Sequence, residues 1–192
     1  MRYLLATLII ILAQGCVPHS DKPLTDPDTI DPSIIGTWFW KDDNESGYLH
    51  IGLDKQLKLL RVIMLDFDSR DELEDSEYTG HTSSLGGNSY INLKWVRPDQ
   101  DEITGYMLIK YTVSEDSLGI AFMDKDIAEK AVMDGSLKGS VKDEMFAPVH
   151  ITEGQKQLQQ FILQNDKELF TDMKYLQKLN LPGFKFGESS TD

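Results

Sequence analysis

The chain has one cysteine, Cys16, among 192 residues. No intramolecular disulfide can form, so the fold must rest on its apolar core. Basic residues are scarce: 19 Lys and Arg stand against 32 Asp and Glu, a formal net charge of −13. Such a surface repels phosphate backbones and argues against nucleic acid as a partner. The four histidines, His19, His50, His81 and His150, show no H-x-H or H-E-x-x-H spacing, and nothing predicts a metal site or a cofactor. No G-x-S-x-G occurs, and the Ser-rich stretch from His81 to Gly87 reads as turn chemistry. No catalytic residue is singled out. Carboxylates are too abundant for a glycosidase-type pair to be read from spacing, so a hydrolase is the least favoured class. Arginine ends at Arg97. Long apolar runs are missing too: Leu4 to Ala13, broken only by Thr7, falls well below the roughly 20 residues of a membrane-spanning helix.

That short run has a meaning of its own. It follows the positive start Met1-Arg2 and ends in the small residues Ala13 and Gly15, the layout of a secretory signal peptide over residues 1–15. Leu12-Ala13-Gln14-Gly15-Cys16 resembles a bacterial lipobox. The resemblance implies that Cys16 becomes the lipid-modified first residue of the mature protein, a palmitate-bearing membrane anchor. It also implies that Asp after the lipidated Cys would favour the inner membrane; Val17 stands there, which points to the outer membrane, facing the periplasm.

Residues 16–33 carry four of the seven prolines (Pro18, Pro23, Pro27, Pro32) among Asp, Thr and Ser. They are expected to form a tether, which at the ~3.1 Å per residue of polyproline II would reach up to ~50 Å. A single folded domain is expected over 34–186, with a disordered polar tail at 187–192. Within the domain, β-rich runs separated by turn signals predict strands near 37–42, 47–53, 57–67, 77–84, 89–97, 103–114 and 117–123. Turns are read at Asp43-Asn44-Glu45, Asp54-Lys55, Gly86-Gly87-Asn88, Asp99-Gln100-Asp101 and Glu115-Asp116. In the fifth run Ile91, Leu93 and Trp95 alternate with Asn92, Lys94 and Val96, which predicts one buried and one mostly wet face.

Further on, Asp124 or Asp126 can cap a short helix carrying Ile127, Ala128, Ala131 and Val132, ended at Gly135. Strands at 137–141 and 146–151 follow, and Thr152-Glu153-Gly154-Gln155 fits a capping box before a helix with Leu158, Phe161 and Ile162 on one face. Residues 168–180 suit a helix or a closing strand. These elements predict a mainly β fold: a small antiparallel up-and-down barrel of eight or nine strands with one or two helices toward the C-terminus, a sandwich being the competitor.

Gly36-Thr37-Trp38 at the first strand resembles the G-x-W signature of lipocalin-like barrels, which implies that Trp38 closes one barrel end beneath a basic residue of the last strand. Here a lysine, such as Lys174 or Lys178, would take that place. Residues 34–170, with Gly36-Thr37-Trp38, "YLHIG" at Tyr48 to Gly52 and "ITE…FI" in the late helix, also resemble uncharacterised bacterial lipoproteins. That resemblance implies architecture and location and no activity.

For binding, His81, Trp95 and Tyr111 are the candidate ligand or interaction residues, while strand parity turns His50 outward. The run from Asp66 to Glu77 holds seven carboxylates. With Arg70 and Asp71 where a calcium loop needs a ligand and a glycine, it reads as a solvated acidic loop, suited to a basic envelope protein. Two functional classes lead: a protein-interaction module and a carrier of a small apolar ligand. Met107, Ile109, Tyr111, Ile91, Leu93 and Trp95 are large, and large inward residues fill an eight-stranded barrel. Their size tips the expectation toward interaction through the outer surface or loops.

Overall fold

Every one of the seven alternating runs is a strand. The computed structural model describes residues 17–27, 30–42, 46–67, 73–96, 105–142 and 148–180. The leader, Cys16, the turns Asp43-Asn44-Glu45 and Asp99-Gln100-Asp101, and the tail at 187–192 lie outside the described residues. After a short strand β1 (His19–Ser20) and a 3-10 turn (Pro32–Ile34) come β2 (Gly36–Lys41), β3 (Ser46–Asp54), β4 (Leu59–Phe67), β5 (Leu73–Leu85), β6 (Asn88–Trp95), β7 (Tyr106–Val113) and β8 (Ser117–Phe122). Then follow α1 (Lys125–Met133), β9 (Gly139–Ser140), β10 (His150–Ile151), α2 (Gln155–Leu169) and β11 (Lys174–Lys178).

Strands β2 to β8 form an antiparallel meander, and β11 pairs with both β8 and β2. The sheet therefore closes as an eight-stranded antiparallel barrel, not a sandwich. The ambiguous stretch at 168–180 is the closing strand. The β5–β6 hairpin turns on Gly86 and Gly87, with φ of +60° and +82°, a two-residue reversal that only glycine enters freely.

The outer face differs from the sequence expectation on one side of the barrel. On β2, β3 and β4 it is wet: His50 and Arg61 are exposed, and Thr37 Oγ1 and His50 Nδ1 lie 2.9 Å apart. On β5 to β8 it is covered. Tyr90, Leu108 and Ala121 are buried beneath α1 and α2 in a second core with Ala128, Leu158, Phe161 and Ile162. Asn92, placed on the wet face by parity, is fully buried. Its side chain accepts from Leu24 N at 2.7 Å and donates to Ser83 Oγ at 2.7 Å.

The tether is corrected by the same contacts. Residues 17–27 pack along the outside of the barrel as a strap. His19–Ser20 pairs with β7 and β10, Leu24 is fully buried, and the Thr25 and Ser83 hydroxyls meet at 2.8 Å. Helix α2 clamps the strap, Gln155 donating to Pro23 O at 3.2 Å and Gln159 to Leu24 O. The prolines belong to an irregular segment that is nevertheless packed.

Of the local readings, the α1 cap stands, resolved to Asp124, and two others change. Helix α1 is capped by Asp124, whose carboxylate accepts from Ile127 N at 3.0 Å. The capping box at Thr152 does not form: Gly154 is the N-cap of α2, and Glu153 instead accepts from the backbone N of Lys138 and its neighbour Gly154. The acidic run is largely a hairpin, since β4 continues to Phe67 and β5 begins at Leu73; only 68–72 lies outside the described residues. Asp66 faces Glu74 and Glu77 faces Ile63, with Glu77 paired to Arg61. The two ends of the supposed twelve-residue loop are thus not opposite one another, as ligands of one calcium would have to be.

Helix α2 is tied to the wall by charge. Lys110 on β7 pairs with Asp166, which also accepts from Tyr90 Oη at 2.5 Å, and both ionic side chains are largely buried. Removing one partner leaves a buried charge unpaired, at a cost of about 3–5 kcal/mol. Asp166→Ala should therefore lower stability in urea denaturation by that order, and Asp166→Leu combined with Lys110→Met should recover most of the loss.

Candidate functional site

Directly opposed strand residues share a sheet face, so the register sorts the side chains into inside and outside. Trp38, Leu49, Met64 and Ser76 form one inward row across β2 to β5, and Ile91, Ile109 and Phe122 another across β6 to β8. Both rows enclose an apolar interior.

One end of that interior is plugged. Trp38 and Ile34 are fully buried there, Trp38 Nε1 donating to Ile34 O at 2.9 Å. Lys178, from the last strand, sets its Nζ 5.2 Å from the centre of the Trp38 ring, a cation–π contact. Tyr111 Oη donates to Asp31 Oδ2 at 2.8 Å, and Asp31 N donates to Thr82 Oγ1 at 2.9 Å. Burial pushes the Tyr111 hydroxyl pKa up, and the Asp31 carboxylate it meets pushes it further. For Asp31, burial works the other way from its hydrogen bonds, and those from Ser33 and Tyr111 leave its carboxyl below the usual range. The segment at 30–35 is thus bolted across the barrel floor.

Toward the other end the interior is open, a cavity of about 580 Å³. Its wall includes Leu49, Val62, Met64, Ile91, Ile109 and Ile120. At its mouth stand Trp40, Asp42, Asp124, Asp172 and Lys174, together with Val17 from the strap. The large inward residues therefore do not fill the barrel, contrary to the sequence expectation. Small residues on adjacent strands explain part of the difference. Gly47 leaves room for the Trp40 ring, since a Cβ there would lie 2.3 Å from it, and Gly80 lies opposite Leu93. The hydroxyl of Tyr78 on the wall is held neutral by burial, which raises its pKa. The cavity is apolar with a charged rim.

The three candidate residues lie elsewhere. His81 points outward beneath the strap, its Nε2 2.8 Å from Thr25 O and its ring edge-on to Tyr106. Trp95 is inward and packs on Tyr78 at 5.5 Å, beside the cavity lining. Tyr111 belongs to the floor. The structure brings none of them together, and the lining residues Trp40, Leu49, Val62, Met64, Ile120 and Phe122 were not singled out in sequence. Their signal was inward parity on β2, β3, β4 and β8. Among the described residues, no three His, Cys, Asp or Glu side chains are gathered in a way that could hold a metal ion. No family model, curated protein or solved structure matches the chain.

The strap beside the mouth carries a titratable clasp. His19 is 5% exposed, and its Nδ1 has no hydrogen-bond partner. Burial pushes its pKa down to about 4; the Val17 backbone carbonyl opposes that shift and repulsion from His150 adds to it. His150 Nε2 in turn lies 2.7 Å from Asp21 Oδ1. Folded His19 binds its proton less readily than the unfolded chain does, so the stability it contributes is whole above about pH 6.5 and is lost as pH falls toward 4. Denaturation at pH 7 and pH 4.5 should show the wild type losing on the order of 2–3 kcal/mol more than His19→Gln. Equal pH profiles for the two proteins would remove His19 as the cause.

Proposed function

We propose that this chain is a non-enzymatic binding protein that holds one small, mainly apolar ligand inside its barrel while attached to the bacterial outer membrane, on the periplasmic side, through a lipid on Cys16. The cavity is the observation that carries the binding role. Its volume of about 580 Å³ lies within the ~300–1,000 Å³ of small-molecule sites, and its lining is apolar with few polar groups, the usual composition of such sites. An eight-stranded barrel is the size that holds one small ligand. The rival reading, interaction with a basic envelope protein through the outer surface, drew on a filled interior, and the cavity withdraws that support. Attachment is supported by the apolar run and the small residues ahead of Cys16.

An environment-sensitive apolar dye such as N-phenyl-1-naphthylamine should bind saturably at one site. Ile109→Trp, which grows a side chain into the cavity, should weaken that binding about tenfold or more. Full-affinity binding by a folded Ile109→Trp protein would place the dye elsewhere.

Mass spectrometry of the membrane fraction should find acyl groups on Cys16 at the mature N-terminus, and Cys16→Ser should retain its leader. A mature chain with a free thiol at Cys16 would end the anchoring proposal.

A further inference from the structure

We infer that the barrel sits mouth-down on a zwitterionic phospholipid surface, so that its cavity opens directly toward the bilayer. The inference rests on the ligand-binding and membrane-attachment reading above and adds an orientation and a route of exchange to it.

Three observations carry it. First, the chain enters the fold at the cavity. Val17 lines the wall at the mouth alongside Phe122, Asp124, Thr171 and Asp172. Directly ahead of it in sequence lie Cys16 and the apolar run Leu4 to Ala13. A lipid on Cys16 places the attachment one residue ahead of Val17 and so beside the mouth.

Second, the entry point is fixed. Backbone pairing of His19–Ser20 with β7 and β10, His19 N donating to Val149 O at 2.9 Å, and the buried Leu24 hold the strap against the wall. No slack remains between Val17 and the barrel for the body to turn over.

Third, the strand ends at the mouth expose apolar and aromatic side chains: Leu73 is 57% exposed, Tyr175 67%, Tyr48 42% and Val96 37%. Tyrosine there suits the boundary between head groups and acyl chains, where an apolar ring and a polar tip are both satisfied. The far end also exposes Leu53 and Leu57 but has no chain entry beside it. Asp42, Glu74, Asp75, Asp124 and Asp172 at the mouth against Lys41 and Lys174 disfavour an anionic surface, which is why the surface is zwitterionic.

The test uses the full chain reconstituted in phosphatidylcholine vesicles, with a polarity-sensitive fluorophore on a single introduced thiol. Leu73→Cys and Tyr175→Cys probe the mouth, and Leu57→Cys, which is also exposed, probes the far end. Wild type, whose acylated Cys16 takes no label, is the control. Labels at 73 and 175 should shift to the blue on vesicle binding and lose emission to spin-labelled lipid, while the label at 57 should keep its aqueous spectrum. Quenching at 57 with none at 73 and 175, or aqueous spectra at all three in vesicle-bound protein, would overturn the orientation. Dye titration of the same samples separates the two ideas. Saturable dye binding with the wrong quenching pattern sinks the orientation alone, and absent dye binding sinks the ligand reading.

Discussion

One wall of this barrel has to be buried on both faces, and most of the molecule follows from that requirement. Strands β5 to β8 carry Ile91, Leu93, Ile109 and Phe122 inward and Tyr90, Leu108 and Ala121 outward. An exposed outer face of that composition would leave a large apolar patch in water. Helices α1 and α2 and the strap at 17–27 cover it. Polar groups trapped beneath the cover then need partners inside the protein, and all but the His19 Nδ1 described above are met in this way: Asn92 with Leu24 and Ser83, His81 with Thr25, Lys110 and Tyr90 with Asp166. The opposite wall, β2 to β4, has a mostly polar outer face, and among the described residues no helix covers it.

The same asymmetry divides labour along the barrel axis. The floor is rigid because its polar groups are paired among themselves, through Asp31, Tyr111, Thr82 and Trp38. The mouth end keeps an apolar hollow whose walls are set by strand register. A site carried by strands is held in shape without a ligand, which is what a carrier requires if exchange is not to wait on refolding. The proposed role uses the hollow, and the floor closes the end away from its mouth.

Legibility in the sequence followed the range of the physics involved. Alternation along a strand is local, so all seven runs of the meander and the inward placement of Met107 and Ile109 could be read directly. So could the Gly86-Gly87 turn and the Asp124 cap. What a strand's other face meets is decided by segments far away in sequence. For that reason Asn92 was mistaken for a wet-face residue and the Pro-rich stretch for a free tether. Proline and aspartate report the absence of regular structure, and they say little about packing. The cavity was missed for a related reason: side-chain size was read without the distance between opposite walls, and that distance depends on register, on Gly47 and Gly80, and on closure by β11. His81 was chosen as a chemical type, but parity places it outside with Asn92.

Closure by β11 also has a consequence for how the chain reaches this state. Trp38 on β2 finds its neighbour Lys178 only when nearly the whole described sequence has been delivered. Until then the meander has two raw edges, β2 and β8, each offering unpaired N–H and C=O groups to any passing strand. Contacts of such sequence separation make folding slow, since the loop must close before its pairing is rewarded. During that interval the hairpins can form while the cylinder cannot. A chain exported before it folds would therefore travel with its most adhesive edges open, and it would depend on holding factors until its last strand arrives.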